Sequence, residues 1–145
     1  MRNRFHLAIE AGDLESAIFF YCDVLGCARG KAEFKYPDAW ADIDFWGNEL
    51  TLHATDPKKK NNGERHNVDM GNVTVPHFGV HLEADVFKNL KERLINKKIK
   101  FIDPPYIRFK GDKKEQETMF IEDPNGNCME IKTMKNPTSL FEGKK

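Results

Sequence analysis

Residues 76–83 read Pro76-His77-Phe78-Gly79-Val80-His81-Leu82-Glu83, and their polarity alternates from one residue to the next. That period of two predicts a β-strand with Phe78, Val80 and Leu82 on one face and His77, Gly79 and His81 on the other. A close relative stands near the N-terminus, Phe5-His6-Leu7-Ala8-Ile9-Glu10, where a histidine again opens the polar face. Two histidine-led strands, each followed by a helical pattern, predict a chain built twice with a site built from both copies.

The rest of the chain follows that plan. After the first strand, Asp13 is an N-cap candidate and Glu15 suits the first turn of a helix. Leu14, Ala17, Ile18, Tyr21, Cys22 and Leu25 make its apolar stripe, and Gly26 stops it. Strands are expected over 29–36, 40–46 and 49–54, the last two joined at Gly47-Asn48. In the second half Asp85 is the N-cap candidate, and Val86, Phe87, Leu90 and Leu94 give the helical stripe. An extended run over 101–110 holds Pro104-Pro105, which confines it to an edge or a bulge. Strands over 118–122 and 128–133 flank the turn Asp123-Pro124-Asn125-Gly126-Asn127. Each half is therefore β-α-β-β-β. His6 and Gly47 in the first correspond to His77 and Gly126 in the second, whose extra length falls around 110–116. The expected division is a first module over 3–56, a polar Gly/Asn-rich linker over 57–73, a second module over 74–135 and a tail over 136–145. The linker reads as a flexible connection, and its length also suits a loop over a site.

Bulk properties exclude several classes. The 145 residues are enough for one domain with a real core. The 23 basic and 23 acidic residues cancel, which argues against nucleic acid as a partner. No apolar run approaches the roughly 20 residues of a membrane span, and the opening Met1-Arg2-Asn3-Arg4 leads into a strand without a signal-peptide core. The expected location is the cytoplasm. Cys22, Cys27 and Cys128 show no Cys-x-x-Cys spacing and indicate neither a disulfide framework nor a zinc knuckle.

One helix per half covers one sheet face and leaves the other open. The open faces carry His6, Ala8 and Glu10; Glu49, Thr51 and His53; His77, Gly79 and His81; Cys128, Glu130 and Lys132. Imidazoles and carboxylates there cost free energy to bury without partners. A divalent metal bound by two imidazoles and a carboxylate is one solution; hydrogen-bonded packing is the other.

The chain resembles the vicinal oxygen chelate superfamily, which includes glyoxalase I, extradiol dioxygenases, fosfomycin-resistance enzymes and bleomycin-binding proteins. The matching stretches are Phe5-His6-Leu7-Ala8-Ile9, Asp13-Leu14-Glu15-Ser16-Ala17, Phe20-Tyr21-Cys22-Asp23-Val24-Leu25-Gly26, His77-Phe78-Gly79-Val80 and Asp123-Pro124-Asn125-Gly126-Asn127-Cys128-Met129-Glu130. The resemblance implies an α+β fold in which two βαβββ modules pair into a curved, partly open mixed β-sheet barrel with helices outside. It also implies metal ligands at His6, His77 and Glu130 for a divalent ion such as Fe2+, Mn2+, Ni2+ or Zn2+, a small-molecule substrate and a homodimer.

The chain departs from the glyoxalase pattern at the fourth ligand position. Counting from the turn glycine lands on Thr51, a poor ligand, with Glu49 and His53 two residues either side on the same face. Either could complete the shell, or His53 could stand off as an acid or base, as in the dioxygenases. His81, Arg108, Tyr106, Trp46 and Phe120 are candidates for the substrate pocket, and Asp42 and Asp44 for hydrogen bonds to ligand imidazoles. The implied function is a metal-dependent enzyme that chelates vicinal oxygens of its substrate, dioxygenase-like by its His/His/Glu set. A glyoxalase-like lyase and a non-catalytic drug-binding protein are the alternatives.

Overall fold

The computed structural model describes residues 2–68 and 71–143; the tail's closing pair, Lys144-Lys145, lies outside them. Two compact units emerge, one of residues 1–63 with 122–127 and one of residues 64–121 with 128–145.

In the first unit β1 (His6–Gly12), β2 (Ala28–Glu33), β3 (Trp40–Phe45) and β4 (Asn48–Ala54) form one mixed sheet, ordered β1-β4-β3-β2. β1 runs parallel to β4 while β2–β3 and β3–β4 are antiparallel. The helix α1 (Leu14–Ile18) is capped by Asp13, whose carboxylate accepts from the Ser16 backbone N–H at 3.0 Å. It continues as a π-helical turn over Phe19–Val24, which the periodicity does not reveal, and ends at Gly26 with φ +85°. Leu14, Ala17 and Tyr21 are fully buried, as are Ile43, Leu50 and Leu52 of the sheet. Burying each large apolar side chain is worth about 1.5–3 kcal/mol.

Trp46 does not extend β3 as its polarity pattern suggests. Trp46 and Gly47 both have positive φ, 47° and 89°, the two-residue hairpin geometry that matches strand twist.

The residues 122–127 of this unit form a knot of hydrogen bonds around Asp123. Its carboxylate accepts from the backbone N–H groups of Asn125 and Asn127, both at 2.9 Å, and from the Tyr21 hydroxyl at 2.8 Å. Asn125 and Asn127 both donate their side-chain amides to the Glu10 carbonyl.

The second unit repeats the sheet. β7 (Phe78–His81), β8 (Asp103–Arg108), β9 (Gln116–Glu122) and β10 (Cys128–Met134) take the order β7-β10-β9-β8, with β7 parallel to β10. β8 is an edge strand whose register slips between Asp103 and Tyr106, where the two prolines sit. The helix α2 (Ala84–Asn96) buries Phe87, Leu90 and Leu94. Asp85 is not its N-cap; it lies in the first turn, where it suits the dipole, and Glu83 precedes the helix without a side-chain cap.

Part of the stretch read as linker has structure of its own. β5 (Arg65–Val68) and β6 (Gly71–Thr74) pair as an antiparallel hairpin. Val73 of β6 packs with Phe120 and Cys128, joined by Val68 and Ile102. Among the described residues no helix is long and apolar enough to cross a membrane.

Candidate metal-ligand sites

In the second unit, facing residues of paired strands share a side of the sheet. Glu130 faces Gly79, Lys132 faces His81, Tyr106 faces Thr118 and Arg108 faces Gln116. The Thr118 hydroxyl donates to Glu130 Oε2 at 2.9 Å, which puts these residues on one side. His77 stands just before β7, its ring edge-to-face with Phe120 at 5.5 Å between centroids. Its Nδ1 lies 2.9 Å from the Thr74 carbonyl. A carbonyl can only accept, so Nδ1 carries the proton and Nε2 presents its lone pair.

That lone pair faces another acceptor. His77 Nε2 is 3.6 Å from Glu130 Oε1, and the Glu130 side chain is only 11% exposed. In the neutral ring Nε2 is an acceptor like Oε1, and a cation between them would satisfy both. Lys132 Nζ is also 3.6 Å from Oε1. Burial first, and Lys132 second, hold the His81 imidazole below its usual pKa, while Glu130 pulls the other way. His81 opens with Leu82, Met134, Pro137 and Leu140 on a cavity of about 100 Å³.

In the first unit His6 and Glu49 are register partners across β1–β4, and His6 Nδ1 is 2.5 Å from Glu49 Oε1. The carboxylate accepts, so here too Nε2 is the free nitrogen. Both side chains are more than half exposed. They line a cleft of about 380 Å³ with Arg4, Phe5, Asp42 and Asp44. Asp42 and Asp44 do not reach an imidazole: Asp42 accepts from Thr51 at 2.7 Å and Asp44 from the Gly47 N–H. His53 is exposed and pairs in register with Glu10 and Trp40.

Of the residues expected around a substrate, His81, Tyr106, Arg108 and Phe120 share the side of the sheet that carries Glu130. Trp46 belongs to the first unit, packed edge-to-face on Phe45 at 4.8 Å. His6 also lies in the first unit, while His77 and Glu130 lie in the second. Among the described residues no group of three or more His, Cys, Asp or Glu side chains is placed to hold a metal ion. The donor chemistry nonetheless fits a divalent cation. Both imidazoles have Nδ1 committed to an oxygen and Nε2 free, the arrangement that orients metal-binding histidines, and a carboxylate oxygen stands opposite one of them.

Sequence reasoning missed Thr74 and Thr118, which hold His77 and Glu130. Neither has a signal of its own, because each acts across a turn or a strand register. Lys132 had one, since it lies two residues beyond Glu130 on the same face.

The family model of the Glyoxalase/Bleomycin resistance protein/Dioxygenase superfamily matches residues 4–131. Among solved structures, a glyoxalase/bleomycin resistance protein/dioxygenase from Alicyclobacillus acidocaldarius is 33% identical with TM-score 0.76, over 97% of this chain and 100% of that one. The fosfomycin resistance protein FosX from Listeria monocytogenes shares the fold at 11% identity, with TM-score 0.65 over 97% and 99% of the two chains. A glyoxalase/dioxygenase from Nostoc punctiforme does so at 16% identity and TM-score 0.66, over 92% and 91%. No curated protein matches the chain. A family match running through both repeats, on a fold shared over the whole chain, means that this protein belongs to the Glyoxalase/Bleomycin resistance protein/Dioxygenase superfamily.

Proposed function

We propose that this chain is a metal-dependent enzyme that binds two adjacent oxygens of a small-molecule substrate on a divalent cation held by His6, His77 and Glu130. The reading is dioxygenase-like, from two histidines and one carboxylate. The observation that carries it is the confrontation of His77 Nε2 and Glu130 Oε1 at 3.6 Å, with His77 Nδ1 already spent on the Thr74 carbonyl. With Nδ1 donating to the Thr74 carbonyl, the neutral imidazole keeps its Nε2 lone pair for a cation beside the Glu130 carboxylate.

When bound, the cation supplies Lewis acidity and a template for neighbouring substrate oxygens. The chain's own residues do the rest. Glu49 keeps the His6 proton on Nδ1, and Thr118 holds Glu130 Oε2 so that Oε1 points at His77. Phe120 and Tyr106 supply an aromatic wall on the Glu130 side of the sheet. The engagement of Glu49 with His6 leaves His53 as the candidate proton acceptor on its strand. A glyoxalase-like lyase would need Glu49 to leave His6 or His53 to become a fourth ligand, so it is the weaker reading.

The test is metal analysis of the full chain purified without chelator, beside His77→Ala and Glu130→Ala. Stoichiometric divalent metal in the wild type, lost in both variants, supports the reading; none in the wild type overturns it. Iron with oxygen uptake on a catechol identifies the dioxygenase, whereas nickel or zinc with hemithioacetal turnover identifies the lyase.

A further inference from the structure

Glu130 has one oxygen for each of two tasks. Oε2 accepts the Thr118 hydroxyl. Oε1 is the oxygen that faces His77, and it is also where the Lys132 ammonium sits, at 3.6 Å. That separation is an ion pair rather than a tight hydrogen bond. Lys132 is kept there by the strand: it faces His81 across β7–β10, two residues beyond Glu130 on the same side. Its side chain is only 24% exposed, so its stem lies along the sheet instead of reaching into solvent.

A cation held at Oε1 would share that oxygen with the Lys132 ammonium, itself 3.6 Å away. Two positive groups so close in a partly dry site repel. The repulsion is relieved by an anion that touches both.

A second observation lies on the same side of the sheet. Gln116, two residues from Thr118 along β9, is 8% exposed, and its Oε1 has no hydrogen-bond partner. A buried acceptor left unpaired costs free energy until a donor arrives. A substrate hydroxyl would serve.

We propose that Lys132 is a substrate-recognition residue: it neutralises Glu130 until a divalent cation takes that oxygen, and it then pairs with a carboxylate of the substrate chelated on the cation. The substrate class is a small acid with a second oxygen adjacent to its carboxylate, such as a 2-hydroxy or 2-oxo acid, with Gln116 accepting from the hydroxyl of the former. The proposal rests on the metal reading above, and it narrows the substrate from any vicinal-oxygen molecule to an anionic one.

Binding measurements on the full chain test it without turnover. Mn2+ is titrated alone and again with oxalate as the probe, into wild type, Lys132→Met and Lys132→Arg. In the wild type oxalate should tighten Mn2+ binding by about tenfold or more, a coupling that is reciprocal between the two ligands. Lys132→Met should bind Mn2+ alone at least as tightly as wild type, because its competitor for Oε1 is gone, yet lose most of the oxalate effect. Lys132→Arg should restore that effect. An undiminished oxalate effect in Lys132→Met overturns the proposal, as does weaker Mn2+ binding in that variant without oxalate. Failure of the wild type to bind Mn2+ at all appears before oxalate is added and overturns the metal reading itself.

Discussion

Nδ1 of His6 lies 2.5 Å from Oε1 of Glu49, its register partner across the parallel β1–β4 pair. The carboxylate accepts the Nδ1 proton and so leaves Nε2 as the ring nitrogen open to a cation. Glu49 is therefore a positioning residue for His6. On the proposal that His6 holds the cation, Glu49→Ala should weaken divalent-metal binding by about 10–100-fold, the usual effect of removing a carboxylate behind a metal-bound histidine. Glu49→Gln, which can still accept at Oε1, should recover part of the loss. The unfolding free energy without added metal should barely change, since a half-exposed pair is worth about 0–1 kcal/mol. Competition titrations and urea melts on the same preparations separate the two effects.

Thr118 does for Glu130 what Glu49 does for His6, but in a buried setting. Thr118 is 0% exposed and donates to Oε2 at 2.9 Å. Thr118→Val keeps the shape and removes the donor, leaving a carboxylate oxygen unpaired. The expected cost is about 1–3 kcal/mol of stability, with metal affinity lowered by about 10–100-fold. Thr118→Ser should preserve both. Equal metal affinity in Thr118→Val and wild type would show that Glu130 is aimed by something else.

Gly79 sets the spacing between β7 and β10. A Cβ added there would lie 1.7 Å from the Glu130 carbonyl oxygen and 2.6 Å from its carbon, both main-chain atoms that no rotamer change can move. Gly79→Ala must push the two strands apart, and with them Glu130 from His77. Overpacking typically costs about 1–3 kcal/mol and sometimes more; the upper end is expected here, read from urea unfolding. Gly30→Ala is the control, because its added Cβ would meet only Asp42 at an ordinary 3.5 Å.

How much of this was legible beforehand follows from which interactions are local. The doubled β-α-β-β-β order could be read because the periods of two and 3.6 and the Asp13 cap are written in neighbouring residues. Even the edge position of β8 follows from Pro104-Pro105. The β5–β6 hairpin could not be read: its strands are four residues each, polar, and held by Val73 against Phe120 and Cys128, far away in sequence. That miss hid the Thr74 carbonyl that orients His77. Trp46 was misplaced because its polarity fits β3 while its left-handed backbone serves the turn. Face parity put His77 and Glu130 on one side of their sheet, and only the family resemblance singled them out as candidate ligands, whereas Thr118 and the Glu49–His6 contact depend on strand register, which alternation alone leaves undetermined.

The last prediction concerns pH. Tyr21 is fully buried and donates to Asp123 Oδ2 at 2.8 Å. Burial raises the Asp123 pKa above the ordinary 3.8, while hydrogen bonds from Asn127, Tyr21 and Asn125 pull it back down. Tyr21→Phe removes one of those bonds. A hydrogen bond to a charged group is worth about 1.5–3 kcal/mol, and one between neutral groups about 0.5–1.5. The loss at pH 7 should therefore be at the larger figure. Because the Tyr21 bond favours the carboxylate, its extra contribution exists where Asp123 is ionised in the folded state and fades as pH falls through its folded pKa, which lies above 3.8. Urea unfolding of wild type and Tyr21→Phe at pH 7 and again near 3.8 should show the difference shrink toward acid. A difference independent of pH would mean that Tyr21 matters to this turn by packing alone, with the Asp123 charge playing no part.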